Sequence, residues 1–275
     1  MVTFPNRKNL LTLTRIGIPE LLFSAFYAFF VISLEEIYGD TIYSLPKEIG
    51  SVLGLAVAFF LGFRMNSAYD RWWEARKVIG EFAANSRKLS SKMVVYTQKR
   101  NPEVGTQTID KIIEFNNELT LHLKTPTKES KQKTLQLLQD ITSNIEMAFG
   151  SNTLEKQDLM QIVNNLHDLQ GKAERTKFTP FLNIYKIFTT LMVYSYVILL
   201  PFFVGDIDVG GEHSVFEVLA IPLTMHISFI FLLINKLSCM YGEPFSKAKT
   251  SLPMYRISLS LNQDLETIKL LSDKN

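Results

Sequence analysis

Between Ile49 and Lys88 the chain reads IGSVLGLAVAFFLGFRMNSAYDRWWEARKVIGEFAANSRK, and no other stretch constrains its fold as tightly. An apolar run from Ile49 to Phe63 passes, without a proline or a turn signal, into Arg64, Asp70, Arg71, Trp72, Trp73, Glu74 and Arg76. This pattern predicts one long helix that begins in lipid and ends in water. Leu55, Phe59 and Phe63 recur at a spacing of four. At about 100° per residue each step drifts by only about 40°, so the three share one face over roughly 12 Å of axis. Spacing alone allows such a stripe either to pack on neighbouring helices or to line a path between them.

The rest of the chain must house that helix. A mean hydropathy of +0.09, with 47% hydrophobic and 20% charged residues, is too apolar for a typical soluble enzyme and too charged for a chain wholly in lipid. A first span is expected from Ile16 to about Ile37, long enough for roughly 30 Å of hydrocarbon. It closes in Glu35, Glu36 and Asp40, and Ser44 and Pro46 suit the start of the second span. A third span is expected from about Phe178 to Val204 and a fourth from about Phe216 to Met240. The connection GDIDVGGEH between them carries Asp206, Asp208 and Glu212 but no Lys or Arg. Basic residues crowd the other side, among them Arg7, Lys8, Arg15, Arg64, Arg71, Arg76, Lys172, Arg175, Lys177, Lys247 and Lys249. The positive-inside rule then places both termini and the long middle segment in the cytoplasm of a multi-pass protein of the cell membrane.

The middle segment reads as a helical domain rather than a linker. Ile109, Ile112, Ile113, Leu119 and Leu123 keep helical spacing, as do Leu138, Ile141 and Ile145, and then Met160, Val163, Leu166 and Leu169. Pro102 and the pair Thr125 and Pro126 mark the breaks, and Asn152 three residues before Glu155 resembles a capping box. The expected organisation is an all-α polytopic membrane protein: 1–63 with spans 1 and 2, a cytosolic helical domain over 64–177, spans 3 and 4 over 178–241, and a cytosolic C-terminal segment over 242–275.

Catalytic constellations are missing from the pattern. His122, His167, His213 and His226 are scattered, and none forms an HExxH motif or a two-histidine pair at helical spacing. The single cysteine, Cys239, excludes an internal disulfide and a cysteine-cluster metal site. No Walker-type loop or nucleophile elbow occurs, and no basic block with interleaved aromatics suggests nucleic acid. Neither an enzyme nor a metal or cofactor is expected. Glu20, Lys186 and Lys236 fit positions near the cytoplasmic interface, with the lysines snorkelling. His226, near the middle of the fourth span, reads as hydrogen-bonded inside the bundle, with a proton-sensing gate as the alternative. Trp72 and Trp73 suit an interfacial anchor, and Arg71 could pair with Glu74 across one turn.

The run LGFRMNSAYDRWWEAR, with LGF at Leu61 to Phe63 and RWWEAR at Arg71 to Arg76, resembles the bestrophin family, in particular its prokaryotic branch. GKAERTKFTPF, from Gly171 to Phe181, and GEPFSKAKTSLPM, from Gly242 to Met254, are similar to the family's segments before the third span and after the fourth. The resemblance implies a homopentameric ring whose second spans line a pore, with a narrow neck of three apolar rings at Leu55, Phe59 and Phe63. It also implies a second, cytosolic aperture near Leu154. Animal bestrophins follow the fourth span with an acidic cluster that binds calcium, whereas this chain has Lys247 and Lys249 there, so no calcium clasp of that type is expected.

A passive ion channel is therefore the expected function, since no nucleotide-binding motif is available to drive a pump. An apolar neck would gate by its width and wetting. Its partners would be membrane lipids, monovalent ions and further copies of itself. Anion conduction, chloride favoured, follows from the family's breadth. Monovalent cation conduction stays open, because on a straight helix Asp70 lies about 20° from the Phe63 face while Arg64 lies about 100° from it, and either could be a pore-mouth charge. A membrane-anchored scaffold or sensor is the alternative from another class.

Overall fold

The computed structural model describes residues 7–38, 46–98, 100–150, 154–179, 182–204, 215–247 and 251–272. Among these the chain forms α1 (Arg7–Tyr38), α2 (Lys47–Thr97), α3 (Pro102–Lys124), α4 (Lys128–Phe149), α5 (Leu154–Phe178), α6 (Asn183–Val204), α7 (Val215–Tyr241) and α8 (Met254–Ser272). No strand occurs among the described residues, and the protein is all-α. Two compact units result: Met1–Asp70 with Phe181–Gly242, and Arg71–Pro180 with Glu243–Asn275. The unbroken α2 contributes its first part to one unit and its second part to the other.

Among the described residues four helical segments are long and apolar enough to cross a membrane: Leu13–Val31 in α1, Glu48–Thr97 in α2, which continues into the second unit, Asn183–Val204 in α6 and Ile221–Tyr241 in α7. The third of these begins later than the sequence suggests. Phe178 closes α5 and α6 starts only at Asn183, because Pro180 follows Thr179 and disfavours helical backbone in the residue before it. Helix α1 lies along α7, and α6 packs on α7. Val57 and Leu61 of α2 form a small core with Val193 and Val197 of α6 and Leu232 of α7. Two glycines bring α2 close to α6. A Cβ on Gly50 would lie 2.5 Å from the Phe203 ring, and one on Gly54 2.6 Å from the Tyr196 hydroxyl. Small residues serve this purpose where lipid supplies no hydrophobic drive between helices. Tyr185 Oη donates to the Phe60 carbonyl at 3.0 Å and adds a polar tie between the same two helices.

The second unit buries one continuous core. It takes Val78, Ile79, Phe82, Leu89 and Met93 from α2, Ile109, Ile112, Phe115, Leu119 and Leu123 from α3, Leu138, Ile141 and Ile145 from α4, and Leu159, Val163, Leu166 and Leu169 from α5. The apolar stripes read from the sequence thus face one another, as one-sided helices must. Asn101 caps α3 with Pro102 in its first turn, and Thr127 with Ser130 forms a capping box on α4. Asn152, and the acidic connection with Asp206, Asp208 and Glu212, lie outside the described residues.

Helix α8 was not anticipated from the sequence. Leu261 and Leu265 enter the core, with Ile257 and Ile268 packed against it. Asn116 Nδ2 of α3 donates to the Ser258 carbonyl at 3.2 Å and to Asn262 Oδ1 at 2.6 Å. The expected Arg71–Glu74 pair does not form. Arg71 donates to the carbonyls of Thr176 and Thr179, satisfying acceptors at the C-terminal end of α5, and Glu74 pairs with Lys77 at 3.1 Å. An exposed pair across one turn is worth only a few tenths of a kcal/mol, less than charged donors to otherwise unmet carbonyls contribute. Trp72 packs against the core, while Trp73 is exposed and stacks on it with ring centroids 6.4 Å apart.

Candidate functional site

Helix α2 has two faces in the first unit. Val57, Leu61, Arg64 and Ala68 are buried, with no more than 3% of their surface exposed. Leu55, Phe59 and Phe63 are exposed to 74%, 60% and 53%. On an ideal helix the centres of these two sets lie roughly 170° apart. Packing within the protomer therefore leaves a full apolar stripe uncovered, held in shape by an edge-to-face contact of 4.4 Å between the Phe59 and Phe63 rings. Val52, Asn66 and Asp70 are also exposed and fall on the same side of the helix. Leu154, the first residue of α5, is 84% exposed and belongs to the second unit, not to this stripe.

Arg64, unlike Asp70, is buried within the protomer. It is 1% exposed, and its guanidinium is turned into the bundle. The two N–H groups of Nη1 are shared among four acceptors within hydrogen-bond distance, Thr189 Oγ1 and Thr190 Oγ1 at 2.9 Å each, Asn235 Oδ1 at 2.7 Å and the Lys186 carbonyl at 3.4 Å. Nη2 donates to Cys239 Sγ at 2.7 Å. The reason is helical phase: Arg64 lies on the side of Val57 and Leu61, facing α6 and α7, not on the side of Phe63. Its burial is tolerated because the long planar head finds acceptors on both neighbouring helices. The polar residues Thr189, Thr190 and Asn235 inside otherwise apolar spans were the signal for this node, and spacing within α2 alone could not pair them with Arg64.

Two further polar features of the spans differ from expectation. Lys236 Nζ of α7 meets Glu20 Oε1 of α1 at 2.6 Å and the Ile16 carbonyl at 3.1 Å, so these residues tie two helices together instead of only snorkelling. His226 is exposed on α7 and makes no hydrogen bond among the described residues.

The second unit holds a buried titratable cluster at the junction of α3, α4 and α5. His122, 1% exposed, has Nδ1 2.8 Å from Ser130 Oγ, and its Nε2 lacks a hydrogen-bond partner while lying 3.8 Å from Glu174 Oε1. Burial pushes the imidazole below its usual range, with Glu174 pulling the other way. Glu174 also accepts from Gln170 Nε2 at 2.8 Å and faces Lys131 at 3.6 Å. Among the described residues no group of three or more His, Cys, Asp or Glu side chains is arranged to hold a metal ion.

A family model described as bacterial/fungal bestrophin protein matches residues 12–267. The chain belongs to this bestrophin family. A voltage-dependent anion channel-forming protein of Nostoc sp. is 25% identical over 248 residues, covering 82% of this chain and 78% of its own. The voltage-dependent anion channel-forming protein YneE of Escherichia coli K12 is 27% identical over 235 residues, covering 78% and 74%. A crystal structure of a bacterial bestrophin homologue from Klebsiella pneumoniae superposes with a TM-score of 0.79 at 22% identity, over 92% of this chain and 98% of that one.

Proposed function

We propose that this bestrophin is the protomer of a homopentameric channel that passes monovalent anions passively, chloride among them. Five copies of α2 surround the axis, and Leu55, Phe59 and Phe63 form three apolar rings that make the neck. One observation carries this reading: large apolar side chains line one side of α2 along its exposed stripe, while the opposite side is fully packed within the protomer. An uncovered stripe on the central helix needs a partner or a pore, and a closed ring by cyclic symmetry supplies both. Hydration of an ion in the neck is costly because the walls offer no hydrogen bonds, so width and wetting set the conductance. The anion reading is supported by the relatives from Nostoc sp. and Escherichia coli, both named voltage-dependent anion channel-forming proteins.

In the same reading the first unit sits in the membrane and the second in the cytoplasm with both termini, and Leu154 forms a second, cytosolic aperture. A protease site inserted near Lys131 is then cut only from inside the cell and one near Gly210, outside the described residues, only from outside. The deciding experiment is reconstitution of the purified protein in a planar bilayer under a KCl gradient. A reversal potential on the chloride side supports the anion channel. Reversal on the potassium side supports a cation channel of the same architecture, which the exposed Asp70 on the stripe side of α2 favours, and absence of current refutes both.

A further inference from the structure

The Arg64 guanidinium is a buried cation whose partners are all neutral: three side-chain oxygens, one carbonyl and one sulfur. No ion pair involving it occurs among the described residues. The carboxylate of Glu20 is held by Lys236 at 2.6 Å, so that pair is neutral and leaves the Arg64 charge uncompensated. Arginine does not shed its proton in proteins. The charge therefore persists in a region of low dielectric, one residue beyond Phe63.

We propose that Arg64 is a specificity-determining residue of the channel, acting on the permeating ion from behind the neck wall rather than from its surface. The inference rests on the pore reading above. If Phe63 faces the axis, the guanidinium stands about one helix diameter behind it, roughly 10 Å from the ion path. At an effective dielectric near 20, a unit charge at that distance changes an ion's local occupancy by roughly tenfold. Five copies act on the same ion, in favour of anions and against cations. Asp70 opposes this, but it is exposed, and water and salt screen it over about 8 Å, whereas a buried charge is screened much less. Hydrophobic rings at the surface and a cation behind them let a neck prefer anions without offering a binding site that would hold one.

Asn235→Asp tests the proposal with almost no change of shape. Asn235 Oδ1 already accepts from Arg64 at 2.7 Å, and a carboxylate in its place neutralises the charge while keeping the hydrogen bond. Under a KCl gradient in planar bilayers, the chloride-to-potassium permeability ratio of Asn235→Asp falls about tenfold or more below that of the wild type. Arg64→Gln lowers it similarly, and Arg64→Lys retains it. A second measurement needs no variant to fold. Cys239, the chain's single cysteine, lies against the guanidinium. In assembled wild-type channels a negatively charged thiol reagent lowers the ratio and a positively charged one does not, with labelling confirmed by mass spectrometry. Conducting Asn235→Asp channels, or channels carrying the negative adduct, with an unchanged ratio overturn the proposal and leave the channel function standing. A wild-type channel that prefers potassium, or carries no current, instead refutes the anion reading itself.

Discussion

Alanine at Leu55, Phe59 and Phe63 separates a pore stripe from a packing stripe, because the structure assigns the two cases different energies. Leu61, 2% exposed, sits in the core shared by α2, α6 and α7. Truncating it leaves a cavity and costs about 2 to 5 kcal/mol, and Val57→Ala, at 3% exposure, acts in the same direction. The stripe residues keep more than half of their surface outside the protomer, so their own contribution to its fold is small, within about 0.5 kcal/mol for Leu55. Phe59→Ala also forfeits the ring contact with Phe63, worth about 0.5 to 1.5 kcal/mol. Single-channel recording and the thermal stability of the detergent-purified oligomer read the two effects separately. Stripe variants are expected to raise conductance or open probability, since smaller side chains widen the neck and lower the barrier to wetting, with little change in melting. Val57→Ala and Leu61→Ala are expected to lower the melting temperature and leave unit conductance unchanged. Loss of the oligomer after Phe59→Ala, with normal single-channel current in whatever assembles, would refute the pore-neck assignment and make the stripe a packing surface between copies.

Further predictions concern the scaffold. Burial lowers the proton affinity of His122 in the folded chain, so the unfolded chain takes up the proton first as pH falls. Stability of the second unit is therefore full above about pH 6.5 and declines below it; thermal unfolding between pH 7.5 and 5 should show the decline, and His122→Gln should flatten it. Gly50→Ala drives a methyl group into the Phe203 ring and should destabilise by about 1 to 3 kcal/mol, read as a lower melting temperature against Val52→Ala, a change at an exposed site, as control. Leu265→Ala empties a fully buried site on α8 and should cost about 2 to 5 kcal/mol in chemical denaturation, whereas Leu270→Ala, at 61% exposure, should cost little.

Elements whose signal is local could be read from the chain before any packing was known. An apolar run of sufficient length specifies a span wherever it lies, which is why α1, α2, α6 and α7 were legible, as were the one-sided stripes of α3, α4 and α5 and the breaks at Pro102 and Pro126. The shared side of Leu55, Phe59 and Phe63 also follows from helical periodicity alone. Which side of α2 is covered depends on the residues facing it in the packed fold: Val193, Val197 and Leu232 cover Val57 and Leu61, and nothing among the described residues covers the stripe. The same holds for the charges. Arg64 reads as a basic residue at the end of a span until Thr189, Thr190 and Asn235, more than 120 positions away in the chain, supply the acceptors that bury it. Arg71 could meet Glu74 by spacing and meets the end of α5 in fact. Helix α8 has a modest apolar stripe, and α3 provides the surface that receives it. Periodicity fixes the direction of a side chain relative to its own helix, whereas the identity of its neighbour is a property of the packed fold.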